Sequence, residues 1–209
     1  MPSLSITLEN YLPWATKYLD SQGYVLYETR TDFQDGANHT VIQNDRNETI
    51  ATLHWRDILP DEIKLKGKTK YQSIHGWLHK SHIPLNYDVK VKDDAGRGYI
   101  WKGNAPGLLL QLHTAEDDST PIATFHGSVF LPREDGKDPH QPPARSLATL
   151  ELTERAQEVR DFVITSFVVL EKGRQITHGV DAMRQTGAVF NASEKTNHPS
   201  ARKPQSTSD

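Results

Sequence analysis

Apolar and polar side chains alternate along much of the first 150 residues, and alternation at period two marks a half-buried strand. In residues 24–30 the pattern places Val25, Tyr27 and Thr29 on one face. Residues 40–44 and 49–55 repeat it on either side of Asn44, Asp45, Arg46 and Asn47, whose side chains suit a tight reversal, so the stretch predicts a β-hairpin. On its second arm Ala51, Leu53 and Trp55 are expected to face the core, with Ile50, Thr52 and His54 opposite. Residues 63–68 predict another strand, and 71–80 read ambiguously, with room for one helical turn carrying Trp77 and Leu78. A second hairpin is predicted from 87–92 and 99–102, around a loop where Gly96 and Gly98 offer positive φ. Residues 108–113 and 122–126 predict a third pair across the acidic connection 115–121, and 147–152 return to strand alternation.

The pattern changes after Thr153, which is placed to cap a helix starting near Glu154. Val159, Phe162, Val163, Ser166, Phe167 and Leu170 recur at helical spacing, and residues 162–170 are apolar nearly all the way round, as in a helix buried on most sides. The apolar run is far short of the roughly 20 residues that span a bilayer, and Arg160, Asp161, Glu171 and Lys172 bracket it. Only strands remain to bury it. A sheet that closes around the helix satisfies it and removes exposed strand edges, so the expected fold is mainly β, a closed antiparallel β-barrel around a hydrophobic C-terminal helix of about residues 154–172. A β-sandwich with one packed helix is the alternative. The expected organisation is a single domain over residues 1–174 and a polar, disordered tail over 175–209, because the tail offers little apolar surface to offset its ordering entropy. Residues 132–143, rich in Pro, Gly, Asp and Lys, read as an exposed loop.

Composition narrows the functional classes. The 209 residues carry a formal charge of −3, which gives no global reason to expect nucleic acid, and the mean hydropathy of −0.65 agrees with a long polar segment. Cysteine is absent, which excludes disulfides, thiolate metal sites and cysteine nucleophiles. Residues 1–11 lack a basic stretch followed by an apolar one, so no secretory signal is read and a cytoplasmic location is expected.

The runs Tyr24, Val25, Leu26, Tyr27, then Ile50 through Trp55, then Gly98, Tyr99, Ile100, Trp101, Lys102, and finally the helix 159–172 together resemble a fungal, basidiomycete-type domain family of unknown function. That family looks related to the tubby C-terminal-like superfamily, with the LURP-one-related proteins and the phospholipid scramblases. The resemblance implies a closed antiparallel barrel around a hydrophobic C-terminal helix, and a non-enzymatic binding or scaffold role with anionic lipid headgroups, such as phosphoinositides, or a protein as partner. It brings no catalytic residues and no cofactor.

Two side-chain groupings offer candidate sites. Lys64, Lys66, Lys68 and Lys70 occupy alternate positions, so a strand reaching that far would align four ammonium groups on one face, with Lys90 and Lys92 adding two more; such a face could hold phosphates. The other reading is an edge strand on which lysines discourage pairing. His75, His79 and His82 would share a helical face and are weak candidates for metal binding, although Gly76 and Pro84 disfavour the helix. For hydrolysis the only suggestive piece is His126, Gly127, Ser128, with no nucleophile elbow, so a small hydrolase or metal-dependent enzyme is the alternative function. The tryptophans and tyrosines on strands read as core rather than as a stacking platform.

Overall fold

The computed structural model describes residues 3–32, 38–56, 58–129, 131 and 144–195, with side chains described through Thr177. Thirteen strands form one antiparallel sheet. The first half holds β1 (Leu4–Leu8), β2 (Lys17–Leu19), β3 (Val25–Asp32), β4 (Asn38–Asn44), β5 (Thr49–Trp55), β6 (Glu62–Leu65) and β7 (Gln72–Ser73). A single turn, α1 (Ile74–Trp77), leads to β8 (His79–Lys80), β9 (Val89–Lys92), β10 (Gly98–Lys102), β11 (Leu110–Thr114), β12 (Ala123–His126) and β13 (Thr149–Leu152). The chain ends in α2 (Glu154–Gln157) and α3 (Arg160–Lys195).

Local chemistry accounts for the hairpins. Asn44 Oδ1 accepts from the amides of Arg46 and Glu48, and Asn47 takes the left-handed backbone (φ 59°) that asparagine tolerates, which reverses β4 into β5. A bulge at Ile42 and Gln43 breaks strict alternation, so Ile50 is buried along with Ala51 and Leu53 rather than facing away as expected. Strands β1 and β2 carry no prediction from the sequence, yet β1 joins the two halves by pairing with both β2 and β13.

Neighbours in the sheet are neighbours in the chain throughout, apart from the β1–β13 ladder, and the order runs from β7 to β1 and then from β13 to β8. No ladder joins β7 to β8, so the expected closed barrel is corrected to an open sheet packed on one helix, in line with the sandwich-like alternative. The reason lies in parity. Thirteen strands of alternating direction leave the two edges running parallel, and a parallel pair needs a crossover of about a dozen residues or more. Only residues 74–78 separate β7 from β8. Ile74 and Trp77 of α1 are buried there, so side chains cover the gap in place of backbone pairing.

Helix α3 forms the middle of the core, as its all-round apolar surface predicts: Val163, Ile164, Ser166, Phe167 and Val168 have no solvent exposure. The aromatic rings of Tyr18, Trp77, Tyr99 and Phe125 meet Phe162 or Phe167 from both halves of the sheet. Trp101, also fully buried, donates from its indole N–H to Ser166 Oγ at 3.0 Å. Ser166→Ala is expected to leave that N–H unpaired in an apolar core and to cost about 1–3 kcal/mol. A urea titration with an unchanged slope and an unchanged midpoint would show that the bond contributes nothing. The helix continues to Lys195, beyond residue 172, so residues 175–195 of the expected disordered tail have helical backbone, with side chains described only to Thr177, and residues 196–209 lie outside the described residues. The expected loop 132–143 lies outside them entirely.

Candidate functional site

The described part of α3 leaves the sheet at the end where β5 finishes, and a cleft of about 330 Å³ opens there between β5, α1 and α3. Its walls combine apolar side chains from α1 and α3, Ile74, Leu78, Val169 and Ile176 among them, with the cations Arg56, Lys80 and Lys172. Asp61 is the one carboxylate among the described lining residues.

Lys172 is the best defined of these groups. Its Nζ stands 3.5 Å from the centroid of the Trp55 ring and 5.7 Å from that of Trp14. The Trp55 indole is itself fixed, because its N–H donates to Thr40 Oγ1 at 2.7 Å. An ammonium over an indole face is attracted by the ring quadrupole. Partial burial lowers the Lys172 pKa to about 8, with Asp61 opposing the shift. Arg56 is less free than Lys172: its guanidinium pairs with Glu62, and its amide donates to Asp61. Lys80 and His75 are exposed at the cleft mouth. Chemically the cleft offers an apolar wall and a cationic mouth, which fits an anion carrying an apolar portion. No Ser, Thr or Tyr is among the described lining residues, so His75 has no hydroxyl there to activate.

The lysines singled out from the sequence do not share one face. β6 ends at Leu65, and Gly67 turns the chain at φ 78°, so the parity that would align Lys66, Lys68 and Lys70 with Lys64 is lost. Lys64 lies over the Tyr71 ring at 5.2 Å, Lys66 pairs with Glu48 at 2.8 Å, and Lys68 pairs with Asp94 at 3.2 Å. That pairing draws the Glu48 carboxyl down to about 2, the Lys66 hydrogen bond contributing most. Lys90 and Lys92 are exposed on β9, and Lys70 is exposed on the connection before β7. Lys66 and Lys92 approach each other only around a recess of about 190 Å³ that Asp93, Asp94 and Asp161 also line.

The three histidines are likewise dispersed. His75 lies on the single turn α1, His79 on β8 opposite Lys90, and His82 on the connection that follows. Among the described residues no group of three or more His, Asp or Glu is arranged to hold a metal ion. Ser128 donates its hydroxyl proton to the Ser146 carbonyl at 2.6 Å, while His126 faces Glu151 at 3.6 Å, so the pair does not form a nucleophile and base. Of the strand aromatics, Tyr27, Tyr99 and Trp101 are core, whereas Tyr24 and Tyr87 are exposed. Sequence reasoning missed Lys172, Trp14, Arg56 and Lys80, because residues 14, 55 and 172 are brought together by three separate elements and no local spacing announces them.

No helix among the described residues is long and apolar enough to cross a membrane. A family model described as "Family of unknown function (DUF6593)" matches residues 12–176. No curated protein and no solved structure matches the chain.

Proposed function

The chain belongs to this family of unknown function, which assigns no activity, and we propose that it is a non-enzymatic binding domain whose cleft beside α3 takes an anionic lipid headgroup. The observation that carries the reading is Lys172, held half-buried between two indoles at the edge of a cleft with an apolar wall and further cations. A phosphate at the mouth would meet Lys172 and Lys80, and an adjoining glycerol or acyl segment would lie against Ile74, Leu78 and Ile176. This cleft is preferred over the row Lys64, Lys66, Lys68 and Lys70 because Glu48 and Asp94 already neutralise two of those.

Titrating the protein with soluble inositol trisphosphate in a calorimeter, at low salt, tests the reading. Saturable heat is expected below pH 8, weakening as the pH rises through the Lys172 pKa of about 8, because an anion binds the charged amine and not the neutral one. Lys172→Met keeps the apolar stem and removes the charge, and it should reduce affinity about tenfold or more. Absence of heat in the unaltered protein, or equal affinity in the variant, would remove the assignment.

A further inference from the structure

The strands alternate in direction across the whole sheet, so every connection except 74–78, which crosses between the parallel edge strands, belongs to one of two ends. Connections 9–16, 81–88 and 103–109, with the described parts of 56–61 and 127–148, lie at the end where α3 emerges. Two sets of contacts fix this assignment: Arg174 donates to the carbonyls of Ala105 and Leu108, and Gln175 donates to the carbonyl of Tyr11. Connections 20–24, 45–48, 66–71, 93–97 and 115–122 lie at the other end.

Exposed apolar side chains divide unequally between these ends. Of the fourteen large apolar side chains that stay exposed among the described residues, twelve stand at the α3 end, and only Tyr24 and Val25 are at the other. The most prominent are Ile58 (95% exposed), Leu85 (85%) and Ile83 (66%), with Leu59, Leu108 and Leu109 at the same end. These are short loops with Pro60, Pro84 and Pro106 next to or near the apolar residues. The third is shaped by Gly103, at φ 75°, where a Cβ would stand 2.0 Å from the Leu109 carbonyl. Single exposed leucines are ordinary on a protein surface, but so unequal a division between the two ends is not.

We infer that the end of the fold from which α3 emerges docks on an anionic lipid bilayer, with the tips at Ile58 and Leu59, Ile83 and Leu85, and Leu108 and Leu109 entering its interfacial layer. The shape of the surface selects this occupant. The exposed side chains sit on three different loops, so a protein partner would need to match each, whereas a fluid apolar layer accommodates all of them at once. Charge differs between the ends among the described residues: Arg56, Lys80, Arg145, Lys172 and Arg174 stand at the α3 end with Glu9, Asp61, Asp88 and Glu171, whereas the turns of the opposite end carry Asp20, Asp45, Glu48, Asp93, Asp94, Glu116, Asp117 and Asp118 against Arg46, Lys66, Lys68, Lys70 and Arg97, so the acidic excess lies away from the bilayer. The inference rests on the headgroup reading for its lipid charge, since the cleft opens on the same end.

The chain has no cysteine, so one can be placed at will. Leu85→Cys and, as a control, Asp117→Cys, each carrying an environment-sensitive dye, would be mixed with phosphatidylcholine vesicles with and without phosphatidylserine. A blue shift at position 85 alone, larger with the anionic lipid, is expected. Replacing Ile58 and Leu59, or Leu108 and Leu109, by Ser should lower vesicle binding roughly tenfold for each tip removed. Vesicle binding without a shift at position 85 overturns the docking geometry while leaving a headgroup cleft in place. A shift of equal size on neutral and anionic vesicles, with inositol trisphosphate silent in the calorimeter, would keep insertion and remove the headgroup reading. A shift that needs only higher protein concentration and no vesicle would assign the face to a second copy of this chain and overturn the bilayer.

Discussion

Phe167→Ala is expected to lower the stability of the domain by about 3–5 kcal/mol, the range for deleting a fully buried aromatic ring. The Phe167 ring meets Tyr18 of β2 edge-on at 6.4 Å and Phe125 of β12 at 4.6 Å, so it touches strands from both halves of the open sheet. The space it leaves is walled by strands that pair with several partners and by a helix enclosed on most sides, so the surroundings can collapse only in part. A guanidinium titration should show an earlier midpoint with little change in slope. A loss below about 1 kcal/mol would mean that the strands close onto the helix, and that the packing around α3 is looser than these contacts imply.

Removing Arg174 should be nearly as costly, with a dependence on pH that identifies the cause. Its guanidinium pairs with Glu171 at 2.8 Å, and both side chains are only 10% exposed. It also donates to the carbonyls of Ala105 and Leu108, tying the loop 103–109 to the helix. Arg174→Ala leaves a buried carboxylate that keeps, among the described residues, the hydrogen bond from Gln175, at an expected cost of about 3–5 kcal/mol near neutral pH. Burial already raises the Glu171 pKa, with Arg174 acting against that rise. In the variant the carboxyl is raised further, so the folded state binds a proton over a wider range above the ordinary carboxylate pKa than the unfolded state does. Stability then falls as the pH rises through that range, and the deficit should shrink on acidification towards about pH 5. Glu171→Gln in the Arg174→Ala background should recover part of the loss at neutral pH. An equal deficit at pH 5 and pH 8 would assign the effect to the two carbonyl contacts rather than to the buried charge.

Much of the sheet is legible in the sequence because its signals are local. Asn44 to Asn47 dictate one reversal and Gly96 another, and β4, β5, β9, β10 and β12 begin and end within a few residues of where alternation places them. The buried helix is legible because residues 162–170 offer no polar face. What escapes is whatever depends on distant partners. Residues 4–8 alternate as Leu, Ser, Ile, Thr and Leu, but so short a run gains its meaning only from β13, more than 140 residues later. Closure could not be inferred from the strands' apolar faces, since it depends on how many strands there are and on a one-turn helix between two-residue edges. The lysine row failed at Gly67, where one left-handed residue ends the strand's parity. The same limit hides the cleft, whose chemistry comes from Trp14, Trp55 and Lys172 on separate elements. The loop tips were hidden differently: Leu108 and Leu109 look like the start of β11, yet the strand begins at Leu110.

The order of the strands also bears on how the chain is made. Because sheet neighbours follow chain order, each hairpin can pair as it leaves the ribosome, but β1 has to wait for β13, and the helix that fills the core is synthesised after every strand. Until α3 emerges, the nascent meander has no apolar partner for its inner face, so the interval before α3 leaves the ribosome is when the growing chain most needs shielding by chaperones.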